Sequence, residues 1–566
     1  MNNILKTQRS FARKAQASPT HQFQDLYHFL YRRDWLEAAL QSVLSNRGAR
    51  TPGVDGISKD DLKTPEAQAA FLDDLQEALK TKTYQPDPVD RAWVPKPGKK
   101  EMRGLGIPTM RDRVVQEVLR MLFEPIWESD FHDHSCGFRP GKRTMDAIHI
   151  CRMRIHTQNR YYWVIEGDIR KCFDRINHKV LLRLIRKRIA DHRIVKLVEA
   201  FLKAGVMDGG LFAETREGTP QGGIVSPLLA NIYLHELDMW WWNKYGGLHR
   251  NEKQKRRYRK QGNAILVRYA DDFIMLWNGT HEGALQLRDE IKAFLWEELH
   301  LELSEEKTHV THVMDGFDFL GFHLQYRTRK GHRPMLLVTP KRDNIERFKA
   351  KVKRLTRRSS VLVPVDLRFQ QLNSLIRGWG NYYRYANFTH DAKKLDWWIS
   401  NRVLIWLQAK HKGQGTRAIL EQYLVRETRK QYDRKNFAAK DGKGKLRFIA
   451  RLQDIPILKY RFRKRPNPYL TAVGFVPPAE AERPFGDAVP ANIGEQRTQW
   501  LETRQQAVER DEYRCSICGK DIDTTQLHGH HIEARRDGGK DELANVTTLC
   551  EDCHKKRTTY GQKRKR

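Results

Sequence analysis

Apolar positions change their spacing several times along the chain, and each change marks a boundary. Between about residues 20 and 90 they recur at helical intervals, as in "AQAAFLDDLQEALKTKTY", which follows a Pro/Gly-punctuated loop, "RTPGVDGIS". From Ala92 to about Pro340, short β-rich runs alternate with helical stretches, which predicts an α/β or α+β body. The runs "YYWVIEGDI", "AILVRY" and "FIMLW" read as strands, and "HKVLLRLIRKRIADHRIVKLVEAFLKAG" and "EGALQLRDEIKAFLWEEL" read as helices. From Lys341 to about Lys430 the helical spacing continues while Lys, Arg, Trp and Tyr accumulate. Residues 431–465 are basic with few structure signals, and "VPPAEAERPFGDAVPAN" marks a Pro/Ala linker at about 478–496. A compact Cys/His-rich module occupies 497–566. No internal repeat is visible, and no apolar run nears the roughly 18 residues of a membrane span.

Charge narrows the choice of partner. The 566 residues hold 103 Lys and Arg against 69 Asp and Glu, a formal net charge of +34. Such a chain repels itself until something neutralises it. Lys and Arg bound to phosphate release condensed counterions, so nucleic acid is the expected partner. The basic residues are spread over the whole length and interleaved with aromatics, which favours that reading over a merely solvated surface. Of seven cysteines, Cys136, Cys151 and Cys172 are scattered and four pair near the C-terminus, which is no disulfide framework for a chain this long. The N-terminus lacks the apolar core of a signal peptide. The expected setting is therefore reducing and intracellular, cytoplasm or nucleoid, with no membrane partner.

Two stretches carry carboxylate chemistry. In "AILVRYADDFIMLW" two strand-like runs flank a tight centre, so Asp271 and Asp272 sit at or beside a hairpin turn. In "YYWVIEGDIRKCFDRI" a strand ends at Asp168. A strand-end aspartate can meet the hairpin turn of a neighbouring strand, and three converging carboxylates repel one another unless divalent cations neutralise them. Mg²⁺ suits such a site: hard oxygen ligands, few protein carboxylates, and positions left for phosphate and water. Two such ions stabilise both the attacking and the leaving oxygen in phosphoryl transfer. A plain Asp turn remains the bland alternative for the pair taken alone.

The C-terminal module reads "YRCSICGKDIDTTQLHGHHIEARRDGGKDELANVTTLCEDCHKKR". Cys515, Cys518, Cys550 and Cys553 form two C-x₂-C knuckles, the spacing of one tetrahedral zinc site. That zinc would be structural, since a small module with few apolar residues needs a staple.

These blocks together resemble the reverse transcriptases encoded by group II introns. "YADD" matches the family's YxDD box, "QGGIVSP" its QGxxxSP block, "RGLGIPTMRDRVVQ" and "SCGFRPGK" its fingers blocks, "LSEEKTHV" and "GFDFLGF" its later palm blocks, and "TPGVDGIS" its N-terminal extension. "NSLIRGWGNYYRYANF" resembles the thumb or maturase (X) domain, and the tail resembles a Cys₄-stabilised HNH endonuclease. The resemblance implies a multidomain α+β protein: a right-hand polymerase of fingers and palm, a helical thumb/maturase domain, and a small zinc-stabilised ββα-metal HNH module. The implied boundaries are 1–90 for the N-terminal extension and fingers, 91–340 for fingers and palm, 341–430 for the thumb, 431–477 for a DNA-binding region, 478–496 for the linker and 497–566 for the nuclease.

The resemblance also implies roles. Asp168 and Asp271 would bridge two Mg²⁺ ions, assisted by Asp272. Phe173 would lie under the sugar of an incoming dNTP and exclude a 2′-OH, although an ordinary core Phe reads the same in sequence. Gln221 and Gly222 would approach nucleotide and template. Lys96 and Arg103, flanking the hairpin "VPKPGKKEMRGLGIP", would clamp the triphosphate. Lys307 would protonate pyrophosphate, or be a solvated surface lysine. Arg377, Trp379, Tyr382, Tyr383 and Arg384 would grip RNA by phosphate contact and stacking, or form a core stripe with solvated Arg. In the nuclease, His531 would activate water, His530 and His554 would hold one divalent ion, and Asn545 would orient the loop bearing His531. Where many relatives carry one more His, this chain has Thr558, so the ion would rest on two histidines with water and phosphate. The implied function is a reverse transcriptase, splicing maturase and site-specific endonuclease supporting target-primed intron mobility, with intron RNA, target DNA and dNTPs as partners. The competing readings are a splicing-only maturase with decayed enzymes and a domesticated or defence reverse transcriptase.

Overall fold

The computed structural model describes residues 2–95, 102–156, 159–208, 211–215, 217–219, 222–328, 334–429, 432–460 and 467–470, and in the C-terminal part 507, 510–511, 514–518, 527–531, 543–550 and 553. The chain divides into two compact units, residues 1–338 with 460–484, and residues 339–459 with 485–566.

The first unit opens with three helices, α1 (Asn2–Ala17), α2 (Arg33–Ser45) and α3 (Pro65–Thr81). Thr64 caps α3, its side chain accepting from Ala67 N, and Pro65 fits the first turn, where its missing N–H costs nothing. A mixed sheet of order β2-β1-β4-β5 contains β1 (Val89–Pro95), β2 (Met102–Ile107), β4 (Val206–Asp208) and β5 (Leu211–Ala213). The β1–β2 hairpin is the Pro/Gly hairpin expected from sequence. Helix α4 (Met110–Trp127) runs through the interior with almost every residue buried.

The sheet that carries the aspartates is antiparallel, order β6-β7-β3-β8, built from β3 (Trp163–Asp168), β6 (Ala264–Tyr269), β7 (Asp272–Trp277) and β8 (His309–His312). Five residues each of β6 and β7 are buried, which explains their unbroken apolar runs. Around this sheet lie α5 (Thr144–Arg154), α6 (His178–Arg186), α7 (His192–Lys203), α8 (Ser226–Trp241), α9 (Arg250–Tyr258) and α10 (His281–Leu299). Helices α5 and α8 pack on β6, and α10 packs on β3. A three-stranded sheet, β11-β10-β9, follows, with β9 (Phe317–Phe319), β10 (Phe322–Arg327) and β11 (Met335–Pro340).

The second unit contains α11 (Arg342–Leu355), α12 (Val365–Tyr383), α13 (Thr389–Lys410) and α14 (Thr416–Tyr423). The sequence reading missed the sheet that follows: β12 (Leu424–Arg429), β13 (Tyr432–Lys440) and β14 (Leu446–Phe448) form an antiparallel meander. Its strands are fastened by cross-strand charges, Arg426 to Asp433 and Arg434 to Glu427, rather than by alternating apolar residues. In the C-terminal part, β15 (Leu527–His531) pairs antiparallel with β16 (Val546–Cys550). No described helix is long and apolar enough to cross a membrane.

Candidate active sites

Strand pairing brings the three aspartates together. In the β3–β7 register Asp168 stands opposite Asp272, and the β6–β7 pair Tyr269–Asp272 leaves a two-residue turn, Ala270–Asp271. Asp168 is fixed from behind: its carbonyl accepts from Ser304 N at 2.8 Å, and the neighbouring Arg170 N donates to Glu302 O at 2.9 Å.

The turn is strained and held. Ala270 has φ +58°, a left-handed conformation that costs a residue with a Cβ roughly 1–2 kcal/mol. Its carbonyl accepts from Arg268 Nη1 at 3.0 Å. Arg268 is fully buried, and its fork binds Asp238 of α8 at 2.8 and 2.5 Å, while Nη1 also reaches Asn231 Oδ1 at 2.9 Å. Asn231 donates in turn to Gly137 O at 2.8 Å, and a Cβ at Gly137 would stand 2.1 Å from Ala270 N. Burial opposes ionisation of Asp238, but the Arg268 charge and hydrogen bonds outweigh it and hold the carboxyl well below the usual carboxylate range. The sequence reading missed this network. Its signal was a lone Arg ending an apolar strand beside the aspartates.

Asp168 and Asp271 are half-buried and Asp272 is exposed, yet the protein packed around Asp271 and Asp272 disfavours their charge. Asp272 is pushed up to about 7, first by burial and then by the charges of Asp271 and Asp168. Asp271 is raised too, mainly by burial and with Asp168 adding repulsion, against the pull of Arg103 and Arg268. Lys307 supplies countercharge on one side, its Nζ lying 2.6 Å from Asp168 Oδ2. Such a triad attracts further positive charge, so its donors fit divalent cations.

Phe173 is half-buried at the start of a short 3₁₀ turn, edge-on to the half-exposed Phe138 at 6.2 Å between ring centres. Its carbonyl accepts from Thr219 N at 2.7 Å, which ties it to the Gly-rich loop. In that loop Gly222 has φ +127°, and a Cβ there would stand 2.2 Å from Gly106 O, so only glycine lets the loop meet β2. Gln116 of α4, buried and unremarked in sequence, accepts from Ile224 N at 2.8 Å and fixes the loop's other end. Arg103 is exposed on β2. Lys96 and Gln221 lie outside the described residues.

The aromatic stretch of α12 is largely core. Trp379 and Tyr383 are fully buried and Tyr382 nearly so, with Trp379 packed on Phe348 and Tyr383, whose hydroxyl accepts from Asn344 Nδ2 at 2.9 Å. The stacking expected of these rings is corrected: they build the unit's interior, and a ring without an open face cannot receive a base. Arg377 is exposed and Arg384 half-exposed.

In the C-terminal part the thiols of Cys515, Cys518 and Cys553 lie within 4.8 Å of one another, which fits a tetrahedral soft-metal site. Cys550 ends β16 opposite Leu527, and its side chain is outside the described residues. Strand pairing sets His531 against Val546 and His530 against Thr547, so the backbone of His531 stands beside that of Asn545, the last residue before β16. The side chains of His530 and His531, and all of His554 and Thr558, are outside the described residues.

Comparison with known proteins fits this geometry. Residues 94–324 match the reverse transcriptase (RNA-dependent DNA polymerase) family, 345–440 the group II intron maturase-specific domain, and 515–559 the HNH endonuclease family. A group II intron-encoded protein, LtrA of Lactococcus lactis, is 33% identical over 485 residues, covering 72% of this chain and 78% of that protein. The chain belongs to the group II intron-encoded proteins. Protein YkfC of Escherichia coli is 38% identical over 355 residues, 60% of this chain and 92% of that protein. A putative COX1/OXI3 intron 2 protein of Saccharomyces cerevisiae is 28% identical over 350 residues, 55% of this chain and 40% of that protein. This group II intron-encoded protein therefore joins an RNA-directed DNA polymerase, a maturase domain and an HNH nuclease in one chain.

Proposed function

We propose that the chain supports target-primed intron mobility: it helps intron RNA reach its spliced form, nicks a DNA target, and extends the resulting 3′-OH by copying the RNA. The observation that carries the polymerase step is the register that sets Asp168 opposite Asp272 with Asp271 at the adjoining turn. In this reading the sheet is a polymerase palm, and the β1–β2 hairpin with its helices forms the fingers. Asp168, Asp271 and Asp272 would hold two Mg²⁺ ions, which when bound lower the barrier to attack of a primer hydroxyl on a triphosphate. Arg103 binds the triphosphate, Gly222 lets the loop approach nucleotide and template, and Lys307 gives a proton to departing pyrophosphate. Phe173 lies under the deoxyribose, where a ring excludes a 2′-OH.

In the nuclease, His531 takes a proton from water, His530 and His554 hold one divalent ion, and Asn545 orients the loop bearing His531. Cys515, Cys518, Cys550 and Cys553 would hold a structural Zn²⁺. Supporting the splicing step are the maturase-specific match and the charge of +34. Arg377 and Arg384 remain the phosphate contacts of α12. A splicing-only maturase is disfavoured by the complete aspartate set and the cysteine cluster.

The test joins the steps. The chain, loaded with its intron RNA, is given end-labelled duplex DNA of the target site, dNTPs and Mg²⁺. The expected product is complementary DNA covalently continuous with one nicked target strand. His531→Ala should abolish the nick yet still extend a supplied primer. A nick with no covalent extension would refute the coupling.

A further inference from the structure

A groove of about 530 Å³ opens between α11 and α13, within the second unit. Ile345 and Lys349 line it from α11, and Lys393, Lys394, Trp397 and Trp398 from α13. Residues four apart on a helix stand one above the other, so Lys393 lies over Trp397 and Lys394 over Trp398. Trp397 is 70% exposed, in contrast to the fully buried Trp379 of α12. Asp391 also lines the groove, and Lys349 is paired with Glu346 at 2.8 Å, so the surplus positive charge belongs to Lys393 and Lys394. The whole groove falls inside the stretch that matches the maturase-specific domain, 345–440.

A large flat ring open to water beside two ammonium groups is chemically particular. A base needs an open aromatic face, and the phosphates on either side of it need cations close by. An acidic peptide would use the lysines but gain little from the ring. Duplex nucleic acid buries its base faces in its own stack and would leave the ring unused. We propose that this groove holds an unpaired base of single-stranded RNA stacked on Trp397, with Lys393 and Lys394 on the flanking phosphates. The inference rests on the reading that this chain binds intron RNA, and it places a contact on α13 instead of the buried rings of α12.

The test uses the full chain saturated with an RNA–DNA template-primer, so that the polymerase cleft is filled. The probe is a uridine oligomer carrying 5-iodouridine, crosslinked by light and mapped by mass spectrometry. Wild type should crosslink at Trp397. Trp397→Ala should lose that crosslink and bind the oligomer about 5- to 100-fold more weakly, and Trp397→Phe should restore most of the affinity. Lys393→Gln with Lys394→Gln should reduce the slope of log affinity against log salt by about 1.4, two phosphates' worth for single strands. Primer extension should be unchanged in all variants, which shows that they fold. The proposal is overturned if the crosslinks map elsewhere while wild type binds, or if Trp397→Ala binds the oligomer as wild type does. It is equally overturned if polyglutamate displaces the oligomer and Trp397 proves irrelevant to both. If wild type binds neither intron RNA nor the oligomer, the RNA reading itself falls with it.

Discussion

The aspartate turn and the cysteine module solve the same electrostatic problem in opposite ways. Around Asp271 the protein supplies its own rigidity: a buried Arg268–Asp238 pair, Asn231 and Gly137 hold a strained turn against a deep core. Strand pairing gathers the three carboxylates there, with Lys307 on Asp168. At the C-terminus three thiols are already gathered within 4.8 Å, and few described residues stand behind them. In the proposed reading the first site binds ions that come and go with substrate, and the second holds an ion that is part of the fold.

The sharpest way to break that contrast is to remove metal. Chelating zinc, or Cys515→Ser, should unfold the C-terminal module and abolish nicking, since structural zinc contributes on the order of 10 kcal/mol to such modules. Primer extension should survive, and one equivalent of zinc should be released per chain, read by a colorimetric chelator. Survival of nicking in the stripped protein would remove the distinction.

Next in size is the scaffold of the turn. Arg268→Met leaves Asp238 charged in the core without its guanidinium partner, which costs about 3–5 kcal/mol. Extension should fall far more in kcat than in KM, and the Mg²⁺ needed for half-maximal rate should rise, because the turn loses its hold on Ala270. The double variant Arg268→Met with Asp238→Leu should recover stability but not rate. Recovery of both would make the pair merely structural.

A smaller effect is expected at Lys307. Lys307→Met removes a half-exposed ion pair, so stability should change by less than about 1 kcal/mol. Extension should slow by about tenfold or more if Lys307 donates the proton. An unaltered rate would leave it as countercharge to Asp168.

A further effect concerns pH. Burial pushes His134 down to about 3 and His132 to about 4. Both are neutral in the folded chain, whereas an unfolded histidine gains a proton below about pH 6.5. The unfolded state then binds more protons, so stability falls as pH drops from about 6.5 towards these values, by about 1.4 kcal/mol per unit for each ring. His134→Gln should flatten the fall in melting temperature of the first unit between about pH 7 and pH 5.

Much of this was legible in sequence. The hairpin, the strand ending at Asp168 and the paired C-x₂-C knuckles announce themselves by local pattern, because short apolar runs around a tight turn and fixed ligand spacings are local facts. The Arg268 network was not, since its partners come from residues 30 and 37 positions away. The β12–β14 sheet was hidden because its strands are fastened by charge pairs that read as a solvated basic segment. For the aromatics of α12 the sequence left RNA contact and core both open, and Trp397 of α13 went unremarked. Helical spacing shows which residues share a face, but only packing shows that Trp379 is inside and Trp397 outside.

The central claim is that the Asp168–Asp271–Asp272 cluster makes DNA. Wild type and Asp271→Ala, matched for folding by circular dichroism, are given an RNA template, an annealed DNA primer, dNTPs and Mg²⁺. The account predicts processive extension by wild type and none above background by Asp271→Ala. Equal extension by the two proteins, or none by wild type, would contradict it.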